Sequence, residues 1–238
     1  MKPVSDRALR RVAREIDIMQ RCNSAYLPKF GPLSLRELVL STGERILYFL
    51  EEYIDGLPLA SVCLPMLPEQ VVALGRCVGE ALRVLADSRY VHRDVKPMNI
   101  MQQTSSTYVL IDAGLALDLD GEALSIAGSG PVGTPAYYSP EQITLPSRDL
   151  DPRSDLFSLG VVMYECATGE HPFLNDAVPR VNVFRNILEF SPPDPRDLVS
   201  SLPERLCSVI ARLLRKDRDG RYQSPEQLLA DLTTVDQG

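Results

Sequence analysis

Four polar side chains between residues 94 and 112 are of types that could carry out chemistry together. Asp94, Lys96 and Asn99 lie within six residues, directly after a helix-forming stretch, and Asp112 follows a short apolar run. A carboxylate can accept a proton or bind a metal ion, an ammonium group can neutralise an anion, and an amide oxygen can bind a hard cation. Taken separately, the same residues would be a polar turn after a helix and a common turn at the end of a strand.

The string His92–Asn99 reads HRDVKPMN and resembles the catalytic loop H-R-D-x-K-P-x-N of eukaryotic-type protein kinases. The resemblance implies that Asp94 orients the substrate hydroxyl and accepts its proton. It also implies that Lys96 reaches the transferred phosphoryl group and that Asn99 binds the second metal ion. In this family a lysine at the position of Lys96 goes with serine/threonine specificity. A polar turn is the weaker alternative, because eight consecutive positions fit the motif.

Asp112-Ala113-Gly114 begins eighteen residues after Asp94 and resembles the family's D-F-G motif, whose Asp binds the magnesium ion that bridges the phosphates. We therefore expect Asp112 and Asn99 to be the metal ligands. Ala113 replaces the family's Phe, which removes a bulky side chain from between the first helix and the catalytic loop. Control of the active conformation is expected to differ for that reason.

Two further strings resemble structural motifs of the kinase family. Gly133–Glu141 resembles the end of an activation segment, in which Glu141 would pair with Arg221. The stretch Ser139–Gln142 also has the pattern of a helix cap, and both readings can hold because a cap and an ion pair use different atoms. Asp155, before an apolar stretch, matches the Asp that holds the catalytic-loop backbone; on its own it would be an N-cap.

The run Ile46–Gly56 resembles the strand and hinge that hold adenine in protein kinases. The resemblance implies that backbone groups of Glu52 and Ile54 pair with the base, and that Met101 forms part of the floor beneath it. Glu51 occupies the gatekeeper position, where an acidic side chain is unusual. The alternative for this run is an ordinary hairpin strand.

Glu15 matches the helix glutamate that in the family pairs with a phosphate-positioning lysine. On its own, a glutamate among Arg10, Arg11 and Arg14 would be a charge on a solvated helix face. The family places three strands before this helix, with a G-x-G-x-x-G loop and a V-A-I-K lysine. Fourteen residues precede Glu15 here, without a Gly-rich loop, and Lys2 is their only lysine. We expect an N-terminal extension or a partner chain to supply the missing strands.

Hydrophobic periodicity predicts the elements that must position these residues. Apolar residues at helical or continuous spacing predict helices over about residues 5–21, 68–88, 156–167, 203–215 and 225–233. Two apolar runs, 33–40 and 46–54, are separated by the polar stretch Ser41–Glu44, which predicts a β-hairpin. Tyr108–Ile111 predicts a short buried strand. The helix over residues 156–167 is apolar nearly all round, which predicts burial on every side.

The predicted fold class is α+β, a protein-kinase-like domain with an abbreviated small lobe. Residues 1–54 would form the truncated small lobe, with one helix, a hairpin and the hinge. Residues 55–238 would form the mainly helical large lobe. The resemblance implies ATP and Mg2+ as cofactors and a protein as the phosphate acceptor.

Composition excludes several other classes of protein. The 238-residue chain has 25 basic and 32 acidic side chains, and a net charge of −7 makes it a poor generic nucleic-acid binder. No apolar run reaches the roughly 18 residues of a membrane span, and the N-terminus lacks a signal-peptide core. Five cysteines without a C-x-x-C pair predict reduced thiols and a cytoplasmic location. Two histidines are too few for a multi-histidine metal centre.

The leading hypothesis is a serine/threonine protein kinase domain that transfers the γ-phosphoryl group of ATP, with weak or no turnover by this chain alone. The alternative is a non-catalytic kinase-like module that binds a partner. Against that alternative, none of the expected catalytic and metal-binding side chains has been lost. A small-molecule phosphotransferase is a third possibility, disfavoured because Lys96, Glu141, Asp155 and Arg221 occur together.

Regulation by phosphorylation is also predicted from the resemblance. Arg93 precedes Asp94, and in the family such an arginine gathers a phosphorylated activation segment. Ser125, Ser129 and Thr134 lie between Asp112 and Glu141 and are the candidate acceptors, because a phosphate group adds nearly two negative charges that an arginine can pair with.

Overall fold

The computed structural model describes residues 6–31, 35–43, 45–104, 106–119, 135–174 and 183–235. The chain begins with helix α1 (Asp6–Arg21), within one residue of the predicted start. Strands β1 (Arg36–Val39) and β2 (Arg45–Tyr48) then form an antiparallel hairpin, with Arg36 opposite Tyr48. The predicted hairpin is therefore confirmed.

The second hairpin strand is shorter than the apolar run 46–54 suggested. After Tyr48 the chain leaves β1 and pairs with the loop that follows α1. The Gly31 N–H donates to the Leu50 carbonyl at 2.8 Å, and the Glu52 N–H donates to the Lys29 carbonyl at 2.8 Å. The apolar run 46–54 therefore pairs first with β1 and then with the loop after α1. Hydrophobic periodicity alone cannot distinguish this arrangement from one long strand.

Two long helices form the centre of the C-terminal part. Helix α2 (Pro68–Asp87) begins at a proline, and the Leu67 N–H before it donates to the Gln70 side chain at 3.1 Å. The other long helix spans Arg153–Thr168 and is buried on nearly all sides, as the apolar run predicted. It ends at Gly169, whose φ of 80° is a left-handed conformation that glycine adopts without strain.

Short strands bring the candidate catalytic residues together. In chain order they are β3 (Leu57–Pro58), β4 (Tyr90–Val91), β5 (Ile100–Thr104), β6 (Thr107–Leu110) and β7 (Leu117–Asp118). One antiparallel sheet has the order β3-β5-β6, and β4 pairs with β7. Residues 92–99 therefore lie between β4 and β5, and Asp112 follows directly after β6.

The remaining helices pack around these elements. In chain order they are α3 (Pro140–Thr144), α4 (the long helix Arg153–Thr168), α5 (Val183–Glu189), α6 (Pro195–Leu198), α7 (Glu204–Leu213) and α8 (Pro225–Val235). Helix α8 packs on α2, and α7 packs on α4. The fold is the helix-rich, kinase-like α+β arrangement that the sequence predicted.

The cysteines are unpaired, as their number and spacing predicted. All five cysteines are free thiols, and Cys63 is the exposed one. Among the residues that the structure describes, no helix combines the length and the apolar character that crossing a membrane requires.

A buried ion pair joins the end of the activation segment to the C-terminal helices. Arg221 donates to both carboxylate oxygens of Glu141, at 2.6 and 2.9 Å, and neither side chain is more than 5% exposed. Arg221 also donates to backbone carbonyls of Arg153, Arg215 and Lys216. The predicted pair is confirmed.

The predicted helix cap at the same place is confirmed as well. The Gln142 N–H donates to the Ser139 hydroxyl at 3.3 Å, and the Ser139 N–H donates to the Gln142 side chain at 3.0 Å. The cap and the ion pair coexist because they use different atoms of α3.

Breaking the buried pair should destabilise the fold. Glu141→Gln leaves the buried guanidinium of Arg221 without its counter-ion, and we expect unfolding to become easier by about 3 kcal/mol. Urea denaturation measures the loss. Glu189→Gln is the matched control, because Glu189 forms an exposed pair with Arg185 on a helix surface. Equal, small shifts for both variants would contradict the structural role of Glu141.

Candidate active site

A buried carboxylate at the start of α4 binds the backbone of the catalytic loop. The Asp155 carboxylate accepts the His92 N–H at 2.7 Å and the Arg93 N–H at 2.8 Å. Asp155 is 2% exposed. Its predicted contact with the loop is confirmed.

The loop needs this support because its backbone is strained. Arg93 has a φ of 70°, which is uncommon and costly for a residue with a side chain. The Gln142 side chain donates to the Arg93 carbonyl at 3.0 Å, so α3 restrains the peptide that follows the strained residue, as Asp155 restrains the one before it. Burial raises the pKa of Asp155 to about 7, and the two N–H donors oppose that rise because they favour the charged carboxylate.

The three predicted catalytic residues form one hydrogen-bonded cluster. Asp94 Oδ2 accepts from Lys96 Nζ at 2.7 Å and from Asn99 Nδ2 at 3.0 Å. Asn99 Nδ2 also donates to the Asp94 backbone carbonyl at 3.0 Å. Within the described residues, Asp94 Oδ1 accepts no hydrogen bond. One carboxylate oxygen is thus fixed by its neighbours, and the other can accept a proton.

Asp112 lies next to this cluster. The Ile111 N–H donates to the Asn99 carbonyl at 2.8 Å, which brings the residue before Asp112 against the end of the catalytic loop. Asp112 has a left-handed φ of 60°, and among the described residues its side chain accepts one hydrogen bond, from the Gly114 N–H at 3.4 Å. The carboxylate is exposed. It is therefore able to bind a cation.

The side chains present fit a magnesium ion. Asn99 uses its Nδ2 in the loop, which leaves its amide oxygen available, and Asp112 offers a carboxylate. These are hard oxygen ligands, and Mg2+ commonly takes one or two protein ligands and completes its shell with water and phosphate oxygens. Accordingly, the described residues contain no cluster of three or more His, Cys, Asp or Glu side chains that could hold a metal ion by themselves.

The hinge segment presents free backbone groups. The Glu52 N–H is used by the Lys29 carbonyl, and its side chain accepts the Lys29 N–H at 3.1 Å. Among the described residues, neither the Glu52 carbonyl nor the Ile54 N–H takes part in a protein hydrogen bond. Met101 lies opposite Pro58 in the β3–β5 pair, beside the hinge.

A glycine makes this close approach possible. A Cβ atom at Gly56 would lie 2.4 Å from the Gln102 carbonyl oxygen of β5. A side chain there would push the hinge away from the strand that carries Met101. In the sequence, Gly56 stands out only as the end of the run Ile46–Gly56. The requirement for glycine depends on a contact with a distant strand, which no local pattern contains.

Glu15 and Glu51 lie near Asp112. All three line a cavity between α1 and the segment after β6, whose apolar wall includes Ile18 and Ala113. Burial raises the pKa of Glu51, and the negative charge of Asp112 raises it further. Ala113, with its small side chain, borders the cavity.

Sequence reasoning missed two contacts between α1 and the neighbourhood of the site. Arg14 Nη1 donates to the Ala116 carbonyl at 2.7 Å, and the Tyr90 hydroxyl donates to the Asp17 carboxylate. The residues lie far apart in the chain, so no spacing indicates either contact. The predicted phosphate acceptors Ser125, Ser129 and Thr134 lie outside the described residues.

Removing the support of the catalytic loop should destabilise the protein. In Asp155→Ala, two N–H groups lose their acceptor, and we expect a loss of about 2–4 kcal/mol in the free energy of unfolding, measured with urea. Asp87→Ala is the matched control, because Asp87 pairs with Arg83 at an exposed helix end. If both variants unfold at the same urea concentration, Asp155 does not support the loop as described.

The chain matches known proteins over almost its whole length. The family model described as "Protein kinase domain" matches residues 2–232. A serine/threonine-protein kinase PknB of Mycolicibacterium smegmatis is 34% identical over 195 residues, which cover 80% of this chain and 31% of the relative. A probable serine/threonine-protein kinase PknB of Bifidobacterium longum is 33% identical over 239 residues, covering 97% of this chain and 34% of the relative.

A third relative, a probable serine/threonine-protein kinase of Clostridium perfringens, is 32% identical over 208 residues, covering 86% of this chain and 30% of the relative. The chain spans about a third of the length of these curated relatives. Together with the loop, the Asp112 segment and the buried Glu141–Arg221 pair, the match over residues 2–232 shows that this chain belongs to the protein kinase domain family.

Proposed function

We propose that this chain is a serine/threonine protein kinase domain, which transfers the γ-phosphoryl group of ATP to Ser or Thr hydroxyls of a protein. The observation that carries the proposal is the cluster of Asp94, Lys96 and Asn99, joined through a backbone hydrogen bond to the segment of Asp112. The names of the relatives support the same activity.

The roles follow from the atoms that are available. Asp94 Oδ1 orients the substrate hydroxyl and accepts its proton, while Oδ2 is held by Lys96 and Asn99. The Lys96 ammonium group adds positive charge where the phosphoryl group transfers. Magnesium, held by Asn99 and Asp112, would neutralise phosphate charge. Little covalent chemistry is asked of the protein, so positioning and charge supply most of the rate.

ATP would bind between the hinge and this cluster. The Glu52 carbonyl can accept from the exocyclic amine of adenine, and the Ile54 N–H can donate to a ring nitrogen. Met101 forms the floor of the same site. Residues 1–54 and 55–238 would then be the two lobes on either side of the nucleotide.

The hairpin before the hinge favours further strands supplied from elsewhere. Its apolar side chains are unusually exposed: Leu38 is 48%, Val39 60% and Ile46 43% exposed. Unpaired edges and apolar faces of a two-stranded sheet invite pairing with another segment. We therefore propose that an N-terminal extension or a partner chain adds strands here, together with a Gly-rich loop and a phosphate-binding lysine.

The missing groups would limit the rate of residues 1–238 alone. Each absent preorganised donor costs about 3 kcal/mol in the transition state, or roughly a hundredfold in rate. Adenine contacts remain, so nucleotide should bind weakly and turn over slowly. Slow but measurable turnover would distinguish a kinase that lacks some phosphate-binding groups from a module that never transfers phosphate.

A non-catalytic kinase-like module is the second candidate. Ala113 in place of a larger residue and the exposed hairpin favour it. Retention of the complete Asp94 cluster and of Asp112 disfavours it, because a binding module has no use for these side chains.

We also propose regulation at Arg93. Burial lowers the pKa of its guanidinium, and the neighbouring charge of Arg14 lowers it further. Two close guanidinium groups would attract a phosphate on the segment that contains Ser125, Ser129 and Thr134. We also propose a cytoplasmic location, which the free thiols and the expected use of ATP support.

Substitution of the proposed metal ligand should weaken nucleotide binding. Asp112→Asn removes the carboxylate charge, and we expect a loss of about tenfold or more in affinity for ATP with magnesium, measured by calorimetric titration. ATP without magnesium should bind parent and variant equally. Asp87→Asn is the control and should bind like the parent. Equal affinity of parent and Asp112→Asn for Mg·ATP would refute the metal assignment.

Catalysis is tested by transfer of radiolabelled phosphate to a broad protein and peptide panel. We expect low or no turnover from residues 1–238. Turnover should rise by two or more orders of magnitude when three strands carrying a Gly-rich loop and lysine are fused at the N-terminus. Asp94→Ala in the extended form should abolish the signal.

Two results would count against this proposal. An extended form that binds Mg·ATP but transfers nothing would favour the non-catalytic module. Fast transfer by residues 1–238 would show that the additional strands are not required.

A further inference from the structure

Helix α1 is attached to the C-terminal part by a buried tyrosine. Tyr90 is 1% exposed, and its hydroxyl donates to the Asp17 carboxylate of α1. Asp17 also pairs with Arg21 one turn later, at 2.8 Å. A hydroxyl bonded to a carboxylate makes a charge-assisted hydrogen bond, which is stronger than one between neutral groups.

The position of Tyr90 links three segments. Its backbone pairs with Asp118 in the β4–β7 ladder, so it lies against the strand that follows the Asp112 segment. Two residues later the chain enters the catalytic loop at His92. The Tyr90 side chain therefore connects α1 with both segments that flank the candidate site.

A second contact reinforces the first on the same face of α1. Arg14 precedes Asp17 by three residues, a spacing that places two side chains on one helix face. Arg14 Nη1 donates at 2.7 Å to the carbonyl of Ala116, which is fully buried just before β7. The helix is thus held at two points one turn apart.

Apolar packing also joins these elements. Ile18 of α1 is 2% exposed and belongs to the main core, and α1 packs on the turn Ala113–Leu115. A small cavity remains beside Ala113, lined by Ile18 and Met19. The polar contacts at Tyr90 and Arg14 add to this packing in setting the orientation of α1.

We propose that the Tyr90 hydroxyl is a positioning group, which fastens α1 to the segments carrying Asp94 and Asp112 and thereby sets the nucleotide site. Glu15 lies between Arg14 and Asp17 and lines the cavity with Asp112, so movement of α1 changes the geometry there. The attachment of α1 through Tyr90 is argued from the observed contacts alone. Its effect on ATP binding rests on the proposed function.

Hydrogen exchange of Tyr90→Phe in the full chain tests the fastening. The variant keeps the ring and removes the hydroxyl, and we expect amides of residues 14–21 to exchange about tenfold faster, with α4 unchanged. Asp17→Asn should also speed exchange in residues 14–21, because it weakens this hydrogen bond and the pair with Arg21. Tyr164→Phe is the matched control. Tyr164 lies on α4, and its hydroxyl donates to the Pro193 carbonyl at 3.2 Å.

The outcomes separate fastening from general stability. Unchanged exchange in α1, or faster exchange in α1 and α4 together, would overturn the proposal. Titration of Mg·ATP adds the functional readout, in which Tyr90→Phe should bind several-fold more weakly and Tyr164→Phe like the parent. Faster exchange with unaltered nucleotide affinity would reject the positioning role. If the parent itself binds no nucleotide, the proposed function fails, while the exchange result still decides the fastening.

Discussion

The candidate site depends on polar side chains at the start of a buried helix. Helix α4 lies in the middle of the C-terminal part, and its first two turns present Ser154, Asp155 and Ser158 to other segments. Asp155 holds the catalytic loop, Ser154 donates to Glu141 at 2.9 Å, and Ser158 donates to the Tyr137 carbonyl at 2.7 Å. Because the helix cannot shift without losing its packing, these contacts fix the loop and the activation-segment end relative to each other.

The cost of burying charge explains why these two carboxylates are fully paired. A buried carboxylate without partners would be expensive, and Asp155 and Glu141 both receive donors on each oxygen. The strained backbone at Arg93 is tolerated because Asp155 and Gln142 restrain it on two sides. Asp94 therefore lies in a well-supported loop. One of its carboxylate oxygens is held by hydrogen bonds, and the other is available to accept a proton.

The N-terminal part, which comprises α1 and the hairpin β1–β2, exposes more of its apolar side chains to solvent. The hairpin β1–β2 has exposed apolar residues, and α1 faces a cavity beside Ala113. Ile18 packs α1 into the core, and polar contacts of Arg14 and Asp17 add to that packing. The exposed side chains of the hairpin form the surface on which we propose that further strands pair.

Much of this could be predicted from the sequence, because the informative features are local. The helices of residues 68–88 and 156–167 follow from apolar spacing, and the loop residues from one continuous motif. The pairs Glu141–Arg221 and Asp155 with the loop were accessible only through the family resemblance, since their partners lie 80 and 62–63 residues away. The break in pairing after Tyr48 and the Tyr90–Asp17 contact were not predictable, because each is decided by which distant segment packs there.

We propose that Asn99 and Asp112 hold the metal ion of a nucleotide that binds at the hinge. Crystals of the chain with Mn2+ and a non-hydrolysable ATP analogue test it directly, because manganese has a distinct anomalous signal. The predicted result is a manganese peak coordinated by the Asn99 amide oxygen and the Asp112 carboxylate, with the base against Ile54. A bound nucleotide whose manganese contacts neither side chain would contradict the account.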